Sequence, residues 1–360
     1  ALFCMKYFQN SDINQYAMEL WNSINFDAAI ANPLTGQIYL SMNADGSGVS
    51  SSLTSPYNEY MIVAWLAKNY SNDSNSPGNT LWNNHYNSTN SFPAITYNGY
   101  SVLSDNGTSF LSSFTHQFNY YLCHYFTTSN EYLTYFENSQ KADSSWWATT
   151  GSNSYEWGLG AGSAINPSYH ADAINNNNDQ IVSPHIIAGY IPINQNGKDD
   201  LIILWNNNLG KYTLPTVNND PILWRYSRSN ITWLPNEITG VDHATMLFGL
   251  STLPEYLGSN FFSRNNDFFP LSTVLNTTDY YSLQSTEIFP NPTNQGITIQ
   301  LNKQHKQIFI HITNIIGQLV YHENFYTIEK VSIPLQLKKG VYFITIGHSK
   351  EAKTFKIIKL

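Results

Sequence analysis

The fold of the first part of this chain is decided by the stretch Pro56-Tyr57-Asn58-Glu59-Tyr60-Met61-Ile62-Val63-Ala64-Trp65-Leu66-Ala67. Ser55 can cap a helix whose first turn holds Pro56, and the apolar residues then recur at helical spacing. This stretch therefore predicts a helix from Pro56 to about Asn69. Similar patterns predict helices near residues 1–8, 11–24, 108–126, 129–139, 184–191, 199–209 and 242–257. We expect residues 1–268 to form a mainly α-helical domain.

The pattern of the sequence changes after Phe269. Residues 269–284 read as a polar linker, and from Thr286 onward short apolar-alternating runs are separated by turn residues at even spacing. Runs of this kind are typical of a small antiparallel β-sandwich, which we expect over residues 285–360. The predicted strands lie at residues 297–301, 308–312, 331–333, 341–346 and 354–358.

The composition excludes several classes of function. Among 360 residues, 12% are charged, 15% are aromatic, and the net charge is −8. Nucleic acid binding requires clustered lysine and arginine, so it is not expected. Aromatic rings stack on flat, weakly charged ligands, so a neutral polar substrate fits better. No apolar run approaches the ~18 residues of a membrane span, and the two cysteines, Cys4 and Cys123, are too few for a disulfide framework.

Three carboxylates stand out as candidates for acid–base chemistry. Glu59 is expected in the first turn of an apolar helix, where burial would raise its pKa and keep it protonated, as a general acid requires. Asp242 is expected at the start of another helix, and Glu156 lies beside glycines that would let backbone approach a ligand. Each has a structural alternative: a favourable charge at a helix start for Glu59, a helix cap for Asp242, and a turn for Glu156.

The end of the chain carries three ordered motifs. They are Phe289-Pro290-Asn291-Pro292-Thr293, then Ile312-Thr313-Asn314-Ile315-Ile316-Gly317-Gln318-Leu319-Val320, then Lys339-Gly340-Val341-Tyr342-Phe343, and a basic end follows. This order resembles the type A C-terminal sorting domain of the type IX secretion system. The resemblance implies recognition by the type IX machinery and a secreted or outer-membrane surface location. A sugar-binding or spacer sandwich is the alternative.

The helical part carries a second ordered set of motifs. Besides 56–67, they are Phe114-Thr115-His116, Glu156-Trp157-Gly158-Leu159-Gly160-Ala161, Asn178-Asp179-Gln180-Ile181-Val182-Ser183-Pro184 and Gly240-Val241-Asp242. Together they resemble the bacterial glucoamylase-like domain, which includes the endo-β-1,2-glucanases of glycoside hydrolase family 144. The resemblance implies an (α/α)6 toroid and inverting hydrolysis. Because the sequence starts inside a helical pattern at Ala1, with no signal peptide, we expect a toroid that is incomplete at its N-terminus.

The resemblance also suggests roles for individual residues. Glu59 would be the catalytic acid, and the base would be Asp242 or a carboxylate upstream of Ala1. The substrate-binding candidates are Tyr57, His116, Glu156, Trp157 and Asp179. We expect no metal and no cofactor.

The sequence therefore predicts a secreted glycoside hydrolase that acts on a β-glucan. Two alternatives stay open. One is a non-catalytic glycan-binding surface protein on the same scaffold, and the other is a toroid-fold polysaccharide lyase. The low content of lysine and arginine disfavours the lyase, and whether this chain is active on its own also stays open.

Overall fold

The computed structural model of the chain describes residues 1–9, 11–213, 219–270, 286–348 and 351–360. These residues form two compact units. One is Asn25–Pro270, which we call the helical unit, and the other combines the described residues of Ala1–Ile24 and Leu271–Leu360. The predicted domain limits of 1–268, 269–284 and 285–360 stay a prediction, and residues 271–284 of the predicted linker lie outside the described residues.

Helices form most of the predicted helical stretches. Ser11 caps one of them as predicted, because its hydroxyl accepts a hydrogen bond from the backbone N–H of Asn14 at 3.3 Å. The α-helices of the described residues are α1 Leu2–Tyr7, α2 Asp12–Ser23, α3 Met61–Tyr70, α4 Pro77–Leu81, α5 Ser113–Leu122, α6 His124–Thr128, α7 Asn130–Thr149, α8 Pro184–Gly189, α9 Asn196–Asn206 and α10 Gly240–Ser251. Short 3-10 helices at Phe26–Ala29 and Thr89–Ser91 and a π-helix at Trp82–Tyr86 accompany them.

Small antiparallel sheets join these helices in the helical unit. The described residues form one three-stranded sheet, β1–β2–β3, and the two-stranded sheets β4–β5, β6–β7, β8–β11 and β9–β10. Their strands are β1 Ile30–Asn32, β2 Gln37–Tyr39, β3 Leu53–Thr54, β4 Ala94–Tyr97, β5 Tyr100–Leu103, β6 Ala161–Ser163, β7 Tyr169–Ala171, β8 Ile181–Val182, β9 Lys211–Thr213, β10 Pro221–Leu223 and β11 Tyr226–Ser227.

The predicted helix start at Ser55 and Pro56 is wrong, because α3 begins at Met61. The side chain of Asn58 bends the chain before the helix. Its amide donates to the carbonyl of Ser55 at 2.9 Å, and its carbonyl accepts from the backbone N–H of Tyr60 at 2.9 Å. Asparagine side chains compete with helical hydrogen bonds in this way. Glu59 therefore lies in the turn before α3 and is half-buried.

Helix α7 continues ten residues beyond its predicted end near residue 139 and ends at Thr149. Its second half buries Asp143, Trp146 and Trp147. The polar residues before the tryptophans do not predict a buried helix face. Asp143 can nevertheless be buried there, because other segments donate hydrogen bonds to its carboxylate.

Helices α8 and α10 pack closely in the helical unit. Gly249 faces the backbone of Ala188, and a Cβ atom at position 249 would lie 1.8 Å from the carbonyl oxygen of Ala188. Only glycine permits this approach of two backbones. The contact fixes the position of α10, whose first turn carries Asp242.

The strands after residue 286 form one curled antiparallel sheet rather than two separate sheets in the described residues. Its order is β12–β13–β15–β16, and β14 pairs with β13. The predicted runs at 297–301 and 308–312 belong to a single long strand. The strands are β12 Glu287–Phe289, β13 Gly296–Asn314, β14 Leu319–Pro334, β15 Gly340–His348 and β16 Glu351–Lys359. Alternating isoleucines fill its core, among them Ile299, Ile310 and Ile344.

In the described part of the chain, no helix combines the length and the hydrophobicity that crossing a membrane requires. Cys123 is buried, Cys4 is partly exposed, and both are free thiols.

Candidate functional site

Asp242 occupies the first turn of α10, as predicted, and is 3% exposed. Two hydroxyl groups orient its carboxylate. The Thr239 hydroxyl donates to Oδ2 at 2.5 Å, and the Tyr169 hydroxyl lies 3.3 Å and 3.4 Å from the two oxygens. The N-cap residue of α10 is Thr239 and not Asp242, but a carboxylate in the first turn of a helix is stabilising, so Asp242 has a structural role beside any chemical one.

Tyr169 contacts Asp242, one of the two predicted catalytic carboxylates. It lies on β7, is 48% exposed, and has a pKa raised to about 12. Burial of its hydroxyl is the main cause, the charge of Asp242 and the hydrogen bond to it come next, and the charge of Glu59 adds to them. The Tyr169 hydroxyl thus contacts Asp242 directly, whereas Glu59 acts on the phenol only through its charge. No sequence motif pointed to Tyr169.

A buried ion pair lies behind this region. Arg225 is 0% exposed, and its guanidinium contacts the carboxylate of Asp172, which is 1% exposed. His170 shares the other oxygen of Asp172 through its Nδ1 at 2.8 Å, and the carbonyl of His170 accepts from Arg225 at 3.3 Å. The charge of Asp242 also acts on Arg225. Through these contacts Arg225 anchors β7, the strand that carries Tyr169, and its buried positive charge also interacts with Asp242. Sequence reasoning missed all three residues.

Glu156 is buried at the edge of a separate cleft of about 490 Å³. Its carboxylate accepts from the backbone N–H of Asn153 at 3.2 Å and from the hydroxyl of Tyr226 at 3.0 Å, and the guanidinium of Arg228 lies 3.6 Å away. The contact with Asn153 is the one expected if Glu156 stabilises a turn. Because Glu156 also lines the cleft, a binding role stays open.

Tyr57 and His116 lie together in an aromatic core. The hydroxyl of Tyr57 is 3.0 Å from Nδ1 of His116 and 2.6 Å from the hydroxyl of Tyr132, and the rings of Tyr57 and His116 stack at 5.4 Å. Burial lowers the pKa of His116 to about 3, so its ring is neutral at physiological pH. Both side chains are almost fully buried, and His116 lines a cavity of only about 10 Å³, so the structure places them under the surface.

Trp157 and Asp179 lie apart from each other. Trp157 is 2% exposed, and its indole N–H donates to Asp200 at 2.9 Å, so it presents no stacking face to solvent. Asp179 is half-exposed, and accepts from the backbone N–H of Asn166 at 3.3 Å. Together with His170, it lines a pocket of about 30 Å³. Among the described residues, no three His, Cys, Asp or Glu side chains are grouped so that they could hold a metal ion.

The curled sheet is recognised by its sequence. Residues 287–360 match the secretion system C-terminal sorting domain. We therefore call these residues the sorting domain. The predicted resemblance of this part of the chain is confirmed. A comparison with curated protein sequences gives no match.

Solved structures are similar to most of the chain. An endo-β-1,2-glucanase from Chitinophaga pinensis, in complex with sophorotriose and glucose, is 13% identical with a TM-score of 0.55, and the match covers 74% of this chain and 67% of that one. For a candidate glucoamylase from Bacteroides uniformis the identity is 12%, the TM-score 0.59, and the coverage 75% and 66%. A β-1,2-glucanase from Parabacteroides distasonis is 15% identical with a TM-score of 0.56, and the match covers 74% of this chain and 42% of that one.

At such identities the similarity concerns the fold, which is the glucoamylase-like fold that the motifs predicted. The chain spans about two thirds or less of the length of these structures. The exact (α/α)6 arrangement stays a prediction.

Proposed function

We propose that the chain belongs to an exported glycoside hydrolase that cleaves a β-glucan with inversion. The observation that supports it most is the contact of the Asp242 carboxylate with the Tyr169 hydroxyl, on which the charge of Glu59 also acts, in a unit whose fold matches two β-1,2-glucanases. The sorting domain supports export through the type IX machinery to the cell surface or the medium. A β-1,2-linked glucan is the substrate class we favour.

The chemistry assigns one task to each carboxylate. Inverting hydrolysis needs an acid that protonates the leaving glycosidic oxygen, and a base that takes a proton from the attacking water. Glu59 is the proposed acid, because it is half-buried in a turn rather than engaged in a helix. Asp242 is the proposed base, because Thr239 and Tyr169 hold its carboxylate in a fixed orientation. Asp179 remains a proposed contact to the glycan, and Glu156 remains one at the separate cleft that it lines.

The test uses single substitutions in the full chain. Glu59→Gln and Asp242→Asn should each reduce the release of reducing ends from β-1,2-glucan by at least about a hundredfold, since removing a positioned acid or base costs 10²–10⁴ in rate. Tyr169→Phe should cause a smaller loss, because it removes one donor to Asp242. If Glu59→Gln hydrolyses β-1,2-glucan and laminarin at the wild-type rate, the assignment of Glu59 is wrong.

One observation favours a second candidate, a non-catalytic glycan-binding protein. Asp242 lies in the first turn of α10, where a carboxylate stabilises the helix through its dipole, so this carboxylate has a structural task of its own. Wild-type protein that binds β-1,2-gluco-oligosaccharides but releases no reducing ends would support this candidate over hydrolysis. Unsaturated products that absorb in the ultraviolet would instead indicate a lyase.

A further inference from the structure

The cleft beside Glu156 is a concave surface of the helical unit apart from Asp242 and Tyr169. Its volume is about 490 Å³, and its walls include Gln180, Tyr212, Arg228 and Trp233. Neither Glu59 nor Asp242 nor Tyr169 lines it. Whatever it binds is therefore held by a set of residues different from the proposed catalytic group.

The polar floor of the cleft is rigidly built. Glu156 is held by Tyr226 and Asn153, and Arg228 donates to the hydroxyl of Thr150 at 3.2 Å and to the carbonyl of Gly151 at 3.0 Å. Such bonds fix the directions of the carboxylate and the guanidinium before a ligand arrives.

Gln180 completes this floor in an unusual conformation. Its φ angle is +48°, in the left-handed region that residues other than glycine seldom adopt. Two bonds with Arg228 hold it there: its backbone carbonyl accepts from the Arg228 N–H at 3.0 Å, and its side-chain carbonyl accepts from the guanidinium at 3.2 Å. Local strain of this kind is concentrated at functional sites.

The rim of the cleft is apolar and open to solvent. Ile231 is 88% exposed and Leu234 is 66% exposed, and Trp233 stands between them in the sequence, half-buried. Large apolar side chains grouped at the mouth of a polar cleft are typical of a binding surface.

The charges in the cleft point to a neutral ligand. The carboxylate of Glu156 and the guanidinium of Arg228 have opposite signs and lie 3.6 Å apart, so their fields largely cancel. The ammonium group of Lys211 lies 4.1 Å from the ring centre of Trp205, where the ring stabilises it. Glu156 and Arg228 are therefore paired with each other, and the charge of Lys211, which has no carboxylate partner among the described residues, faces the ring of Trp205.

We propose that this cleft is a second glycan-binding site, which holds a neutral oligosaccharide apart from the catalytic carboxylates. The apolar face of one sugar ring would stack on Trp233 and contact Ile231. Neighbouring hydroxyl groups would donate to Glu156 and accept from Arg228. The choice of a glucan as the ligand rests on the proposed function, whereas the position of the site rests on the cleft itself.

The test is a calorimetric titration of the full chain with sophorotriose, in a Glu59→Gln background that prevents cleavage. Adding Trp233→Ala should remove one of two binding events or weaken it about tenfold, since one stacked ring contributes roughly that factor. Tyr256→Ala, at an aromatic residue that is 68% exposed and outside the cleft, is the control and should change nothing.

A second variant guards against a folding defect. Ile231→Asp changes a side chain that barely contacts the protein, so it should leave the circular dichroism spectrum intact and still weaken the same binding event. Identical isotherms for Glu59→Gln with and without Trp233→Ala would overturn the second site. Loss of binding in Trp233→Ala, together with wild-type hydrolysis by Glu59→Gln, would instead retain the second site and reject the catalytic assignment.

Discussion

Replacing Asp143 by asparagine should change how the stability of the helical unit depends on pH. Asp143 lies on α7, is 1% exposed, and accepts from the hydroxyl of Ser113 at 2.7 Å and from the backbone N–H groups of Leu159 at 2.8 Å and Gly158 at 3.2 Å. Burial raises the pKa of its carboxyl group from 3.8 to about 7, although these three donors act in the opposite direction.

The sign of the effect follows from this raised pKa. The folded protein keeps a proton on Asp143 that the unfolded chain releases, so the stability present below about pH 4 is lost as the pH rises through 7. For values of 3.8 and about 7, the free energy of unfolding falls by about 2 kcal/mol between pH 5 and pH 7. Asparagine does not titrate, but its amide NH2 group cannot accept a hydrogen bond from one of the three donors. Leaving that donor unpaired should lower the free energy of unfolding by about 2 kcal/mol. Asp143→Asn should therefore destabilise the protein at pH 5 and be nearly neutral at pH 7.

Urea unfolding followed by tryptophan fluorescence measures this difference. All nine tryptophans except Trp21 lie in the helical unit, so the signal reports that unit and not the sorting domain. Asp105→Asn, at an exposed carboxylate, controls for the change of net charge. An equal cost of Asp143→Asn at both pH values would refute the reasoning, because it would mean that the three donors outweigh burial.

Three further predictions concern other parts of the chain. Gly210→Ala should lower the free energy of unfolding by about 3 kcal/mol, because the added Cβ would lie 2.3 Å from the carbonyl oxygen of Trp224 and the residue has a φ of +67°. The matched control is Gly46→Ala, whose φ is +83° but whose surroundings are open. In the same urea titration it should lower the free energy of unfolding by only about 1 kcal/mol. Ile310→Ala, in the core of the curled sheet, should destabilise it by about 3 kcal/mol, visible as a lower melting temperature in far-ultraviolet circular dichroism, and an unchanged melting temperature would contradict that core. Deleting residues 287–360 should keep the protein inside cells of a bacterium that has type IX secretion, and normal export on an immunoblot of the medium would contradict the role of the sorting domain.

Much of the secondary structure could be predicted because it depends on local sequence. Helix α2 follows from its Ser11 cap and its apolar spacing, and the strands at 341–346 and 354–358 follow from alternation along the chain. The start of α3 could not be predicted from the Ser–Pro pair, since the side chain of Asn58 competes for the same backbone groups. The run of residues 37–42 predicts a short strand, and β2 lies within it, whereas the other short strands of the helical unit were missed because two to four residues carry too little pattern of their own.

By itself, the sequence determined that the chain ends in a sorting domain, that its first part is helical, and that Glu59, Asp242 and Glu156 are the carboxylates to consider. Only the tertiary structure decided which groups meet. Tyr169 reaches Asp242 across 73 residues, and Arg225 reaches Asp172 across 53. The structure also placed Tyr57 in the core and Glu156 on a separate cleft. Motifs are recognised from neighbouring residues, whereas an active site depends on contacts between distant segments, which burial and hydrogen bonding select only when the whole unit folds.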